Sequence, residues 1–142
     1  MIDKIILEAE KISNELTSLL IKNEIENTFI FYDFRIKGKE SYINRMKRFD
    51  QQPGQVDDLI GYCFIVNNIE DCYKLLIYFK NNKNIKINKV IDYIKEPCGE
   101  NKYRAIHIKF KYKKSLGEIQ IKTKQMDLEN KKSYINYKSK CV

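Results

Sequence analysis

Tryptophan is absent from this sequence, histidine occurs once, and proline and glycine fill only two and five positions. So few breakers exclude a collagen-like or Pro/Gly low-complexity chain, and a hydrophobic share of 43% argues against disorder. No apolar run approaches the roughly 18 residues of a membrane-spanning helix. The segment 1–10 carries Asp3, Glu8 and Glu10 where a signal peptide would be basic and then apolar. The four cysteines, Cys63, Cys72, Cys98 and Cys141, are not spaced as metal-binding pairs. These absences lead us to expect a cytoplasmic protein with reduced thiols and no membrane partner.

What is present suits one globular domain spanning 1–142, a length that can bury a single core. Lys and Arg outnumber Asp and Glu by 27 to 19, a net charge of +8 spread along the chain. Such a surface favours polyanionic partners, although AT-rich coding gives the same lysine-rich composition.

The hydrophobic spacing predicts the elements in order. Residues 2–22 place Ile5, Ala9, Ile12, Leu16, Leu19 and Leu20 on one helical face. TFIFYDFRIK (28–37) alternates as a half-buried strand, with Arg35 and Lys37 on its polar side. A helix follows over 39–49, then a QQPGQ loop, then the apolar run LIGYCFIV (59–66), which reads as a strand covered on both faces with Asp57 and Asp58 just before it. A helix capped by Asn68 comes next, then strands over 85–94 and 103–113. A short connection through Lys114 and Ser115 leads into GEIQIKT (117–123) as an antiparallel hairpin, and a basic helix covers 124–138. The sum is an α+β fold, a mixed and partly antiparallel sheet of about five strands flanked by helices.

If each strand turns its apolar residues to the core, the opposite faces carry Arg35 and Lys37, then His107, then Glu118, Gln120 and Lys122. Asp58 enters beside them. For any one of these residues, a solvated sheet face is an adequate explanation. Acidic, basic and imidazole groups together on one surface call for more.

The segments RIKGKESYINR (35–45), DDLIGYCFIV (57–66), YRAIH (103–107) and GEIQIKT (117–123), in this order, resemble the synthetase domain of the RelA/SpoT family. SYINYK (133–138) is similar to that family's closing H-x-x-x-Y-K, and the resemblance runs over about 35–138. It implies a nucleotidyltransferase-like fold and transfer of the β,γ-pyrophosphate of ATP to the ribose 3′-hydroxyl of GDP or GTP, giving the alarmone (p)ppGpp. Magnesium is the implied cofactor. Asp58 and Glu118 match the metal-binding and catalytic carboxylates; Arg35, Lys37, Ser41 and Arg45 match the ATP-binding run. Tyr103 matches the residue on which the acceptor base stacks, with His107, Gln120 and Lys122 in the same acceptor pocket.

Some positions depart from the family pattern. Cys63 stands where D-L-x-G-x-R has arginine, Lys102 where the approach to the tyrosine has glycine, and Ser133 where the closing motif has histidine. The resemblance therefore leaves a toxin-type relative open, with the CCA end of tRNA or an adenosine nucleotide as acceptor and an antitoxin or a second copy as partner. The basic last helix would suit tRNA. A catalytically inactive nucleotide-binding module is the alternative from another class.

Overall fold

The computed structural model describes residues 1–132. The first amphipathic segment forms α1 (Ile2–Leu20), with Ala9, Leu16 and Leu20 fully buried. A 3-10 turn at Asn23–Ile25 leads to β1 (Phe31–Ile36), followed by α2 (Lys39–Phe49) and β2 (Ile60–Val66). Next come α3 (Ile69–Lys80), β3 (Lys86–Asp92), β4 (Ile106–Tyr112), β5 (Ser115–Thr123) and α4 (Lys124–Lys132). Asn68 caps α3 as expected, accepting a hydrogen bond from the Asp71 N–H at 2.9 Å.

The five strands lie in the order β1-β2-β5-β4-β3. β2 and β5 are parallel; the other neighbours are antiparallel. β5, late in the chain, is thus central in the sheet and covered on both sides. Its Ile119 and Ile121 join Tyr62 and Phe64 of β2 and Ile106, Ile108 and Phe110 of β4 in one core. α1 and α3 close that face: the Thr17 and Tyr62 hydroxyls lie 2.7 Å apart, and the Phe79 and Phe64 rings are 5.2 Å apart. Burying each large apolar side chain contributes about 1.5–3 kcal/mol, enough to fix the strand order.

Several expectations change in detail. β1 is an edge strand: Phe34 and Ile36 lean on the core, Tyr32 stacks on Phe64 while staying partly exposed, and Phe31 is exposed. β4 begins at Ile106 because Tyr103 is held instead in a bridge to Cys98. The turn between β4 and β5 is Lys113–Lys114, one residue earlier than expected, with Lys113 at φ 53°. Cys63 and Cys72 are free thiols, and Cys141 lies outside the described residues. Ser133, the SYINYK stretch and the remainder of the helix expected to 138 lie outside the described residues.

At Gly117 the close approach of β4 requires glycine. A Cβ built there would lie 2.4 Å from the buried Phe110 ring and 3.0 Å from the Ile60 carbonyl oxygen. Gly117→Ala should therefore overpack the sheet and cost about 1–3 kcal/mol, read as a lower urea midpoint at unchanged m-value; an unchanged midpoint would count against this contact.

Candidate active site

On the sheet face opposite the core, the register aligns side chains in rows across the strands. One row runs Arg35, Gly61, Glu118, Lys109, Lys89; the next runs Asp33, Cys63, Gln120, His107, Ile91. Gly61 leaves room for Arg35 to lie across β2, since a Cβ there would meet its Cγ at 3.4 Å. Asp58, just before β2, reaches the same face from the strand beside Glu118.

This face is not the solvated one its alternating charges predict. Lys37, Asp58, His107, Glu118 and Lys122 are all buried, and charged groups are seldom buried unless paired. Here the pairing is continuous. Lys37 Nζ is 3.3 Å from Asp58 Oδ2, Arg45 Nε is 3.3 Å from Asp58 Oδ1, and Arg45 also donates to Asp57 Oδ1 at 3.1 Å. Lys109 Nζ lies 3.4 Å from Asp57 Oδ1 and forms a short ion pair with Glu118 Oε2. Gln120 Nε2 donates to Glu118 Oε1 at 2.7 Å and its Oε1 accepts from Lys122 at 3.3 Å. Lys122 in turn lies 3.9 Å from Asp127 of α4, which pairs with Lys131 at 3.1 Å.

Two cavities open on this face. One, of about 340 Å³, is lined by Asp33, Arg35, Cys63, Tyr103, Lys122, Asp127 and Asn130. The other, of about 460 Å³, is lined by Lys37, Ser41, Asn44, Arg45, Arg48, Lys89, Tyr93, His107 and Lys109. Arg35, Asp58, Glu118 and Gln120 border both, so the two carboxylates stand on the ridge between chambers.

The structure thus brings Arg35, Lys37, Ser41 and Arg45 to one cavity, and Tyr103 and Lys122 to the other. His107 sits at the wall between: its ring lines the larger cavity while its Nε2 is 2.7 Å from the Tyr103 hydroxyl. Tyr103 is 3% exposed, with Tyr93 and His107 packed edge-on against it. Its loop is tight, with paired backbone hydrogen bonds between Cys98 and Tyr103 and left-handed Gly99 and Lys102.

Sequence reasoning passed over Lys109, Asn130, Tyr93 and Lys89, and gave Asp57 no role. Lys109 was signalled by its place two residues after His107 on the same strand face. Asn130 accepts from the Arg104 N–H at 3.2 Å and donates to the Arg104 carbonyl at 2.9 Å, fastening α4 to the strand entry beside Tyr103.

The electrostatics follow from burial and pairing. Burial pushes the His107 pKa down from 6.5 to about 4, against the pull of Glu118, so the imidazole is neutral at pH 7. Burial alone would raise the Glu118 carboxyl, yet its charged and hydrogen-bonding neighbours hold it at about 2. A charged His107 is the largest of these lowering influences, followed by the Lys109 ammonium and the Gln120 amide. Burial lowers the Lys37 pKa despite Asp58, and raises that of the Cys63 thiol.

Asp58 Oδ1 and Arg45 Nε face each other without the alignment of a hydrogen bond, leaving a buried carboxylate oxygen that accepts none. Such an oxygen suits a hard divalent cation. Among the described residues no three His, Cys, Asp or Glu side chains converge as a metal-binding group.

The fold is that of the small alarmone synthetases. Small alarmone synthetase 1 from Bacillus subtilis bound to its product pppGpp superposes with a TM-score of 0.75 at 22% identity, over 94% of this chain and 79% of that one. Small alarmone synthetase 2 from the same organism gives 0.73 at 23% identity, over 97% and 78%. Residues 34–141 match the model of the region found in RelA / SpoT proteins, and the chain belongs to that family. It is 32% identical over 123 residues to a probable guanosine-3′,5′-bis(diphosphate) 3′-pyrophosphohydrolase of Mycoplasma pneumoniae, covering 87% of this chain but 16% of that protein. It is 30% identical over 130 residues to the GTP pyrophosphokinase YwaC of Bacillus subtilis, covering 82% of this chain and 60% of the relative. The chain thus spans 16% of the first relative and 60% of the second. No helix among the described residues is long and apolar enough to cross a membrane.

The depressed His107 pKa has a consequence for stability. In the unfolded chain the imidazole takes a proton near 6.5, in the folded chain only near 4. As pH falls through that window the unfolded state binds more protons, so stability should fall and then level below about 4 as far as this group is concerned. His107→Gln should flatten the dependence of the urea midpoint on pH between 6.5 and 4; an equally steep profile would remove His107 as its cause.

Proposed function

We propose that this chain is a pyrophosphokinase that transfers the β,γ-pyrophosphate of ATP to the ribose 3′-hydroxyl of GDP or GTP. The observation that carries the reading is the position of Asp58 and Glu118 on the ridge between two cavities, with cations on either side. Transfer of this kind depends on positioning and charge neutralisation more than on covalent chemistry by the protein. The acceptor oxygen attacks the β-phosphorus, the bond from that phosphorus to the α-phosphate oxygen breaks, and AMP leaves.

In this reading the larger cavity takes the ATP phosphates. Lys37 and Arg45 supply charge, Ser41 a hydroxyl donor, and Arg35 a planar guanidinium for base or phosphate. The other cavity takes the acceptor, with Lys122 and Gln120 as polar contacts. A base can stack on Tyr103 only after the tight 98–103 loop yields, because the ring is buried. Asp58, with its unbonded oxygen, and Glu118 would hold magnesium. When bound, the ion would supply positive charge against the charge that develops on the transferred phosphates. A carboxyl held at about 2 is a poor proton acceptor at neutral pH, which supports a ligand role for Glu118 over a general-base role.

The test is transfer of label from γ-labelled ATP, with magnesium, to GDP, GTP, AMP or deacylated tRNA. Label on the guanosine nucleotide is the expected result. Label on tRNA or AMP instead would give the toxin-type acceptor, and nucleotide binding without any transfer would leave an inactive binding module. Glu118→Gln keeps the shape and removes the charge, and should lower turnover by about 10²–10³-fold. Normal turnover in that variant would end the role assigned to Glu118.

A further inference from the structure

We propose that Lys109 is a resident counter-cation of Glu118 that competes with a divalent ion for this carboxylate and so sets the metal concentration at which the site loads. The inference rests on the reading of Glu118 as a metal ligand and concerns a residue outside the motifs that led to it.

The two ridge carboxylates are not equivalent. Asp58 keeps Oδ1 without a hydrogen bond, whereas both oxygens of Glu118 are engaged, Oε2 by Lys109 and Oε1 by Gln120 at 2.7 Å. A cation taking Asp58 meets Arg45 Nε 3.3 Å from Oδ1 and Lys37 Nζ 3.3 Å from Oδ2. To take Glu118 it must share or displace an ammonium that the hairpin register sets directly opposite, Lys109 against Glu118. The Lys109 side chain is 15% exposed, so water screens this pair weakly.

The displaced ammonium has somewhere to go. Lys109 Nζ is already 3.4 Å from Asp57 Oδ1, and Asp57 is the more exposed of the carboxylates in the network, its side chain at 41%. Lys109 is therefore tethered between a carboxylate on the ridge and one at its rim. A shift toward Asp57 frees Glu118 while keeping the ammonium paired. Asp57, which lacks an evident role as a ligand, becomes the alternative seat.

The experiment is titration of the full chain with Mn²⁺, free ion being followed by its electron paramagnetic resonance signal. A neighbouring unit charge shifts a carboxylate's affinity for a proton by about ten-fold or more, and its effect on a divalent ion should be no smaller. Lys109→Met should bind Mn²⁺ at least about ten-fold more tightly than wild type. Lys109→Gln, which keeps a hydrogen-bond donor for Glu118 and guards against a folding defect in the methionine variant, should move the same way. Lys109→Arg, which keeps the charge, should stay near wild type. If neither neutral variant binds Mn²⁺ more tightly while Glu118→Gln weakens binding, the competition is overturned and Glu118 remains a ligand. If Glu118→Gln leaves Mn²⁺ affinity unchanged in wild-type and Lys109→Met backgrounds alike, the ligand reading falls and the competition with it.

Discussion

Charges of both signs, most of them buried, form one network that runs from Lys37 beside β1 through Asp58, Arg45, Asp57, Lys109, Glu118, Gln120 and Lys122 to Asp127 and Lys131 on α4. Removing one member leaves its neighbour as an uncompensated buried charge, which is far costlier than the intact pair is favourable. The elements that supply these side chains are thereby constrained together. α2, the entry to β2, the β4–β5 hairpin and α4 each contribute at least one ion-paired side chain to the network. The apolar core on the other side of the sheet fixes the strands, and the network fixes what covers them.

That constraint also shapes the chemistry. A site for polyphosphate needs cations, and cations crowded into a cavity repel one another. Interleaved carboxylates relieve the repulsion, so Lys37, Arg45 and Lys109 can line the larger cavity together. The same carboxylates are the candidate metal ligands. Under the proposed function, loading the site would be an exchange of partners within the network, phosphates taking the cations and a metal the carboxylates.

Much of this was legible in the sequence. Alternation in GEIQIKT put Glu118, Gln120 and Lys122 on one face, and the apolar run of β2 announced a strand covered on both sides. Three features were not legible, for physical reasons. Parallel pairing of β2 with β5 joins segments more than fifty residues apart, and neither strand's pattern names its partner. The burial of the charged face depends on α2, the 93–105 stretch and α4 folding over it, whereas alternation alone predicts a face in water. The pairing of Lys109 with Glu118 depends on the hairpin turn. Lys113 adopts the left-handed conformation without the Asn or Gly that ordinarily marks one. Setting the turn one residue later would have placed Lys111 opposite Glu118.

That shift has a chemical meaning, because a hairpin register is counted in pairs. With Lys113–Lys114 as the turn, Tyr112 meets Ser115, Phe110 meets Gly117 and Lys109 meets Glu118. The Phe110 ring lies where any side chain at Gly117 would have to be, so this register is the one that the glycine permits. A packing contact on the core face thus decides which lysine neutralises the carboxylate on the other. In the actual register Lys111 sits opposite Leu116 and is exposed. The identity of the lysine beside Glu118 is in this sense set by the fit of a phenylalanine against a glycine.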